Sequence, residues 1–365
     1  MQDDDRWMRL AISLGQRGLG RVWPNPAVGC VIVKGTRVLG RGWTQDGGRP
    51  HAETMALAQA GAAARGATAY VSLEPCAHHG ATPPCAEALV AAGVARVVTA
   101  LEDPDPRVAG KGHAILRVGG IEVATGVLEA EARRAQAGFL SRVTQGRPLL
   151  TLKLAMSLDG RIATASGESK WITGPESRRL VHAMRARHDA VLVGAGTARA
   201  DDPELTVRGL GVARQPVRVV ASRGLELPVE SRLGQTARDV PVWLLHGPEA
   251  EPSRRAAWEA TGARLLEVPP GEEVQGLDPS AMLSALGREG FTRVFCEGGG
   301  RLAAALLGAG LVDRLALFTG GLALGAEGRP GLGALGLGAL AEAPRFRLRE
   351  TRAVGQDSLQ LWEAG

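Results

Sequence analysis

One imidazole, His51, and two thiols, Cys76 and Cys85, stand with a carboxylate, Glu53, two residues past the histidine. Two soft thiolates and an imidazole suit Zn²⁺, and three protein ligands leave the fourth tetrahedral position open for water. Zinc lowers the pKa of such a water to roughly 7. Glu53, beside a ligand but itself a poor match for this donor set, is the group to take and return the proton. A structural clip completed by His78 or His79 remains an alternative, as does a core histidine near two buried thiols. Glu53 has no use in either.

A second set of features lies in the other half. Val294-Phe295-Cys296-Glu297-Gly298-Gly299-Gly300-Arg301 reads as a strand running through a glycine turn into a helix, and Val193-Gly194-Ala195-Gly196-Thr197 repeats the arrangement. Bare glycines let a pyrophosphate approach the backbone, and a helix N-terminus attracts it. Glycine turns also occur for purely structural reasons, and this pair is not GxGxxG. Ser222-Arg223, just past an apolar run, is placed to hold a 2′-phosphate, which favours NADP over NAD. Lysine is rare, yet Lys153 and Lys170 fall close together, and Lys153 or Asp159 is a candidate proton donor. The chain's single asparagine, Asn25, sits in Pro24-Asn25-Pro26-Ala27-Val28-Gly29. It is a turn former or an amide that contacts a pyrimidine or ribose.

These residues need elements to position them. Residues i and i+2 do not share a helical face. His51 and Glu53 therefore converge only if His51 precedes an alanine-rich helix over 52–64. Strands are expected at 27–33, 38–43, 67–73 and 94–100, with a helix at 86–92 opened by Cys85 and a first helix capped by Asp3–Asp5. The order α-β-β-α-β-α-β makes a layered α/β domain. A strand near 121–124 and a helix near 128–139 lead to Gln145-Gly146-Arg147-Pro148, the expected boundary between a domain at 1–146 and another at 147–365. The second domain has apolar runs at 149–155, 190–193, 217–221, 242–245, 294–296 and 315–318, several separated by helical stretches, and is again α/β. The Gly/Ala/Leu-rich stretch 320–340 reads as a mobile excursion.

Composition narrows the partners. The 365 residues are 45% hydrophobic and 22% charged, as in ordinary globular proteins. The acidic start Met1-Gln2-Asp3-Asp4-Asp5 is unlike a signal peptide, no apolar run spans a bilayer, and four cysteines argue against a disulfide framework. A cytoplasmic enzyme with no membrane partner is expected. The net charge of +5 is dispersed, with one Tyr and five Phe for stacking. That speaks against a nucleic-acid groove and for a small phosphorylated substrate.

Together these residues resemble the bifunctional riboflavin-biosynthesis deaminase/reductase family, across nearly the whole chain. The resemblance rests on Pro24-Asn25-Pro26-x-Val28-Gly29, His51-Ala52-Glu53, and Glu74-Pro75-Cys76-x-His78-His79-Gly80-x-Thr82-Pro83-Pro84-Cys85. It rests further on Ser157-Leu158-Asp159-Gly160, Gly167-Glu168-Ser169-x-Trp171-Ile172-Thr173 and Asp201-Asp202-Pro203-x-Leu205-Thr206-Val207-Arg208. His-x-Glu, Pro-Cys, Cys is the order used by zinc nucleobase deaminases, with the glutamate as acid/base. The resemblance implies a cytidine-deaminase-like three-layer domain followed by a dihydrofolate-reductase-like domain, one zinc per chain in the first and NADPH in the second. It implies deamination of 2,5-diamino-6-(5-phosphoribosylamino)pyrimidin-4-one and then reduction of the ribosyl group to ribityl. By motif, Asn25, Ser169, Arg185, Leu205, Arg208 and Glu297 would contact substrate. Ala155, Trp171, Thr197, Asp201, Ser222, Gly299, Gly300, Arg301, Leu302, Ala303, Ala304 and Ala305 would contact the nucleotide. Trp171 could equally be core packing. The partners expected are the phosphorylated ribotide and further copies of the chain. A zinc-dependent nucleotide or nucleic-acid deaminase with a non-reductase second domain, and a zinc-stabilised binding protein, are the rival readings.

Overall fold

The computed structural model of the chain describes residues 2–79, 83–271 and 276–365. Gly80 and Thr82 of the cysteine-containing motif lie outside them. The chain divides into two compact units, Met1–Gly146 and Arg147–Gly365.

The first unit runs α1 (Gln2–Gly15), β1 (Gly29–Lys34), β2 (Arg37–Trp43), α2 (Ala52–Ala60), β3 (Thr68–Val71), α3 (Cys85–Ala91), β4 (Arg96–Thr99), α4 (Lys111–Val118), β5 (Glu122–Ala124) and α5 (Glu129–Gln145). Its sheet has the order β2-β1-β3-β4-β5, antiparallel at β2/β1 and β1/β3 and parallel thereafter. Strands β1, β3 and β4 are buried on both faces, and Ile32, Val97 and Val98 are fully enclosed. Register explains the layers. Gly29 pairs with Trp43 and Cys30 with Gly42, so Gly29 and Gly42 face opposite sides. A Cβ on Gly29 would stand 1.9 Å from the Ala11 carbonyl of α1, and one on Gly42 would stand 2.2 Å from the Ala52 carbonyl of α2. Helices α1 and α2 therefore pack on opposite faces, each at close range.

Several expectations need correcting. Asp3–Asp5 lie inside the first turn of α1 rather than capping it, still favourably placed against the helix dipole. The helix from Ala52 tightens to 3₁₀ geometry at Gly61–Ala64, and α5 continues to Gln145. Helix α4 was not expected.

The second unit contains β6 (Leu149–Met156), β7 (Arg161–Ala163), α6 (Pro175–Arg185), β8 (Ala190–Gly194), α7 (Ala195–Asp201), β9 (Val217–Ala221), α8 (Arg232–Gln235), β10 (Val242–His246) and α9 (Pro252–Ala260). It continues through β11 (Arg264–Glu267), α10 (Pro279–Arg288), β12 (Arg293–Gly298), α11 (Gly300–Gly308), β13 (Arg314–Thr319), β14 (Arg329–Pro330), β15 (Phe346–Val354) and β16 (Asp357–Ala364). Nine strands form one sheet in the order β11-β10-β9-β8-β12-β6-β13-β16-β15. It is parallel from β11 to β13, and the β15/β16 hairpin extends it antiparallel. The six expected apolar runs are the buried centre of this sheet. The hairpin and β11 went unforeseen because they lack continuous apolar runs.

The 320–340 stretch is not an excursion. It is fastened as far as Gly333: Leu158 N–H donates to Leu322 O, Gly331 N–H to Gly160 O, Gly333 N–H to Gly300 O, and β14 pairs with β7. Its glycines serve close approach, since a Cβ on Gly331 would stand 2.1 Å from Met156 Sδ.

Candidate active sites

His51 occupies the N-cap of α2 in extended backbone geometry, φ −72° and ψ 161°, and Glu53 lies in the helix's first turn. That break in conformation lets residues two apart converge. Cys85 is the first residue of α3, and Cys76 lies on the loop after β3. His51 Nδ1 is 3.6 Å from Cys76 Sγ and 3.4 Å from Cys85 Sγ, and the Cys85 N–H donates to Cys76 Sγ at 3.3 Å. Around one zinc, Zn–S of about 2.3 Å and Zn–N of about 2.05 Å at tetrahedral angles put N and S about 3.5 Å apart. The donor set thus fits zinc in kind and in spacing.

Among the described residues no fourth ligand joins this cluster. His79 pairs with Glu87 at 3.5 Å, and His78 stands outside with its Nδ1 buried and unpartnered. The completed-clip alternative has no support here. Glu53 is 3% exposed, and burial, then the Cys76 charge, push its carboxyl up to about 7. The Cys85 thiol and then His51 hold Cys76 down at about 4. Glu53 is thus a buried carboxyl poised to exchange a proton at neutral pH. The Asn25 backbone N–H closes a turn by donating to Val22 O, and its side-chain amide packs against Gly48, leaving no room for a Cβ there.

One residue that sequence reasoning passed over organises this site. Glu74, directly before Pro75-Cys76, is fully buried and accepts three backbone N–H bonds, from Asp103 at 3.2 Å, Gly110 at 3.0 Å and His113 at 3.1 Å. It anchors the 103–113 segment behind the Cys76 loop. A glutamate inside an otherwise apolar strand end was the available signal.

In the second unit a cavity of about 1270 Å³ opens at the C-terminal ends of β6, β8, β9 and β12. That is where open parallel sheets bind ligands, at the point where strand order switches. Of the expected nucleotide contacts, Ala155, Thr197, Asp201, Ser222, Gly299, Gly300, Arg301, Leu302 and Ala305 line it. Ala303 and Ala304 do not. They fall on the buried side of α11, because a helix turns about 100° per residue. Trp171 also lies outside the lining; it is 68% exposed with the Arg178 guanidinium 4.3 Å over its ring, which rules out core packing. The turn itself is a cradle. Gly299 has φ +89°, and a Cβ there would stand 2.8 Å from Thr197 Oγ1, so bare backbone faces the cavity. That suits a pyrophosphate.

Ser169 and Glu297 line the same cavity; Arg185, Leu205 and Arg208 are not on its lining. Arg185 grips Glu297 with two bonds, 2.5 and 3.0 Å, and donates to Thr206 O at 2.8 Å, tying β12 to the 202–208 loop. Burial alone would raise the Glu297 carboxyl, but Arg185 and Lys153 bring it below its ordinary value. Leu205, with φ +55°, is a buried brace of that loop, and Arg208 is engaged by Glu204. Burial depresses the Lys153 amine, partly offset by Glu297. Asp159 is no proton donor: Ser157 Oγ and the N–H groups of Leu324 and Gly325 hold its carboxyl at about 2. Arg223 lines the cavity but is engaged by Glu249.

Residues 1–101 match the cytidine and deoxycytidylate deaminase zinc-binding region, and residues 148–359 match the RibD C-terminal domain. The chain is 44% identical over 365 residues to riboflavin biosynthesis protein RibD of Escherichia coli (strain K12), covering 97% of each. It is 40% identical over 354 residues to that of Aquifex aeolicus, covering 97% of this chain and 96% of the relative. Among solved structures it is similar to Acinetobacter baumannii RibD, with TM-score 0.89 and 41% identity, over 100% of this chain and 99% of that one. It is also similar to a diaminohydroxyphosphoribosylaminopyrimidine deaminase/5-amino-6-(5-phosphoribosylamino)uracil reductase from Thermotoga maritima, with TM-score 0.86 and 35% identity, over 99% of both chains.

Proposed function

Because the chain belongs to the RibD family of bifunctional riboflavin biosynthesis enzymes, we propose a division of labour in which residues 1–146 deaminate and residues 147–365 reduce. The enzyme removes the 2-amino group of 2,5-diamino-6-(5-phosphoribosylamino)pyrimidin-4-one by hydrolysis and then reduces the ribosyl group of the product to ribityl with NADPH. The observation carrying the reading of the first unit is the triangle of His51, Cys76 and Cys85 at zinc spacing, with buried Glu53 beside it.

In the first unit His51, Cys76 and Cys85 would hold zinc, which when bound supplies Lewis-acid activation of water. Glu53 would take one proton from the attacking water and pass it to a ring nitrogen, then take the remaining proton from the hydroxyl so formed on the carbon and give it to the departing ammonia as the carbonyl forms. Its carboxyl, enclosed beside the metal ligands and raised by burial, is suited to both transfers. Asn25 offers donor and acceptor to the pyrimidine or ribose.

In the second unit NADPH supplies the hydride for the sugar carbon. The Gly299 cradle and the first turn of α11 receive the pyrophosphate. Ser169 and Glu297 face the substrate, while Arg185 fixes the Glu297 carboxylate. Lys153, half-buried on the cavity lining beside Glu297 with a depressed amine pKa, is the proton donor among the described residues. Asp201, at the end of α7, lines the cavity and would contact the nucleotide.

Glu53→Gln tests both readings at once. It should retain zinc while losing deamination by roughly 10²–10⁴-fold, the usual size of an acid–base contribution. Given already deaminated ribotide, the same protein should oxidise NADPH at the wild-type rate. Near-normal deamination removes Glu53 from the chemistry; failure to oxidise NADPH ends the two-site reading. Cys85→Ser should instead lose metal and deamination together.

A further inference from the structure

Five arginines line the cavity of the second unit: Arg199, Arg223, Arg254, Arg301 and Arg329. Three are already engaged. Arg223 pairs with Glu249, Arg254 pairs with Glu226 and bonds the Gly224 carbonyl, and Arg199 bonds the Glu226 carbonyl. Among the described residues, Arg301 and Arg329 have no side-chain partner. Both are exposed, and the chain just after Arg329 runs beside Gly300. Arg301 is in the first turn of α11, just after the Gly299 cradle. Arg329 rests on Gly167, where a Cβ would stand 3.0 Å from its Nη2.

Arg329 does not hang on a free loop. The segment that carries it is fastened on both sides of the cavity. On one side β14 pairs with β7, and Asp159 accepts the N–H groups of Leu324 at 3.1 Å and Gly325 at 2.7 Å. On the other, Gly333 N–H donates to Gly300 O, and a Cβ on Gly300 would lie 3.3 Å from the carbonyls of Pro330 and Gly331. The segment thus runs past the start of α11, with the unneutralised Arg329 guanidinium beside Gly167 on the cavity lining. Two such cations on the lining that also carries the glycine turn match a group carrying two negative charges, and charge-assisted bonds of this kind are the strong ones.

We propose that Arg329 is a further cofactor-binding residue, contacting the NADPH pyrophosphate beside the Gly299–Arg301 turn, and that Asp159 is the positioning residue that fastens its segment. The proposal rests on the reading of this cavity as the NADPH site. A pyrophosphate is common to NADPH and NADH, whereas the 2′-phosphate and the ribotide phosphate are not.

The test is direct nucleotide binding to the full-length protein, by calorimetry or NADPH fluorescence, with the thermal unfolding midpoint of the second unit as the control for its folding. Arg329→Ala should weaken NADPH and NADH alike by about tenfold or more. Arg329→Lys should recover part of the loss. Asp159→Asn, which removes the charge and leaves one acceptor oxygen where Ser157 Oγ–H and the Leu324 and Gly325 N–H groups had two, should weaken both nucleotides. The double variant Arg329→Ala/Asp159→Asn should bind no more weakly than Arg329→Ala, because Asp159 acts through Arg329. Unchanged affinity in Arg329→Ala overturns the proposal. So does a loss confined to NADPH, which would move Arg329 to the 2′-phosphate, or one confined to the ribotide KM. Fully additive losses remove Asp159 from it. Wild-type protein that binds neither nucleotide sinks the NADPH reading itself, a result distinct from all of these.

Discussion

Replacing Glu74 tests how the deaminase site is held without touching its ligands. Glu74 is fully buried, and its two oxygens accept three backbone N–H bonds: Oε2 from Asp103 and Gly110, Oε1 from His113. Glu74→Ala removes all three acceptors where water has no ready access. A hydrogen bond to a charged group contributes about 1.5–3 kcal/mol net, and a stranded buried donor costs about 1–3 kcal/mol. Partial relaxation brings the loss to roughly 3–6 kcal/mol, a large share of the roughly 5–15 kcal/mol that stabilises a domain. Glu74→Gln keeps one oxygen. With that oxygen toward Asp103 and Gly110, its amide meets the His113 N–H donor to donor, for about half the loss. Urea unfolding of the zinc-loaded protein, followed by metal release to a colorimetric chelator, reports the first unit, while NADPH oxidation reports the second. At ~3 °C per kcal/mol the alanine variant should release zinc roughly 10–20 °C below wild type on heating. Its deamination should fall, because the loop bearing Cys76 loses its backing. Release within about 1 kcal/mol of wild type would refute the anchoring argument, whatever happened to activity.

Two further outcomes follow from the second unit. Gly299→Ala should weaken NADPH by tenfold or more and leave deamination unchanged. Adding Thr197→Ala relieves the 2.8 Å contact but not the cost of φ +89°, so full recovery in the double variant would refute the backbone argument. His188 is buried against Phe295, donates Nδ1–H to Met184 O and accepts from Thr151; burial lowers its pKa to about 3. Between pH 6.5 and 3 the unfolded chain takes up a proton that the folded one refuses. This stabilisation is full above pH 6.5 and declines as pH falls, by about 1.4 kcal/mol per unit. The stability gap between wild type and His188→Gln should shrink by that slope below pH 6.5, and a gap independent of pH contradicts the assignment.

Much of this protein was legible in its residues. The metal triad was, because soft ligands and a neighbouring carboxylate are rare in combination, and the chemistry of zinc restricts what they can do. So were the buried strands, whose apolar runs need no long-range information, and the requirement that His51 precede its helix, which is a matter of helical geometry alone. What the sequence could not settle depended on which groups meet across long separations. Asp159 looked like a proton donor until the backbone of Leu324 and Gly325 arrived to satisfy it. Arg223 looked free for a 2′-phosphate, yet Glu249 engages it. Ala303 and Ala304 belong to the right helix but to its buried side. The stretch 320–340 looked mobile because low complexity hides pairing; its glycines are there so that backbone can press against Met156 and Gly300. Residue type determines which chemistry is possible, but the partner that neutralises, fastens or buries a group comes from anywhere in the chain, so only the tertiary structure decides which of those possibilities remain open.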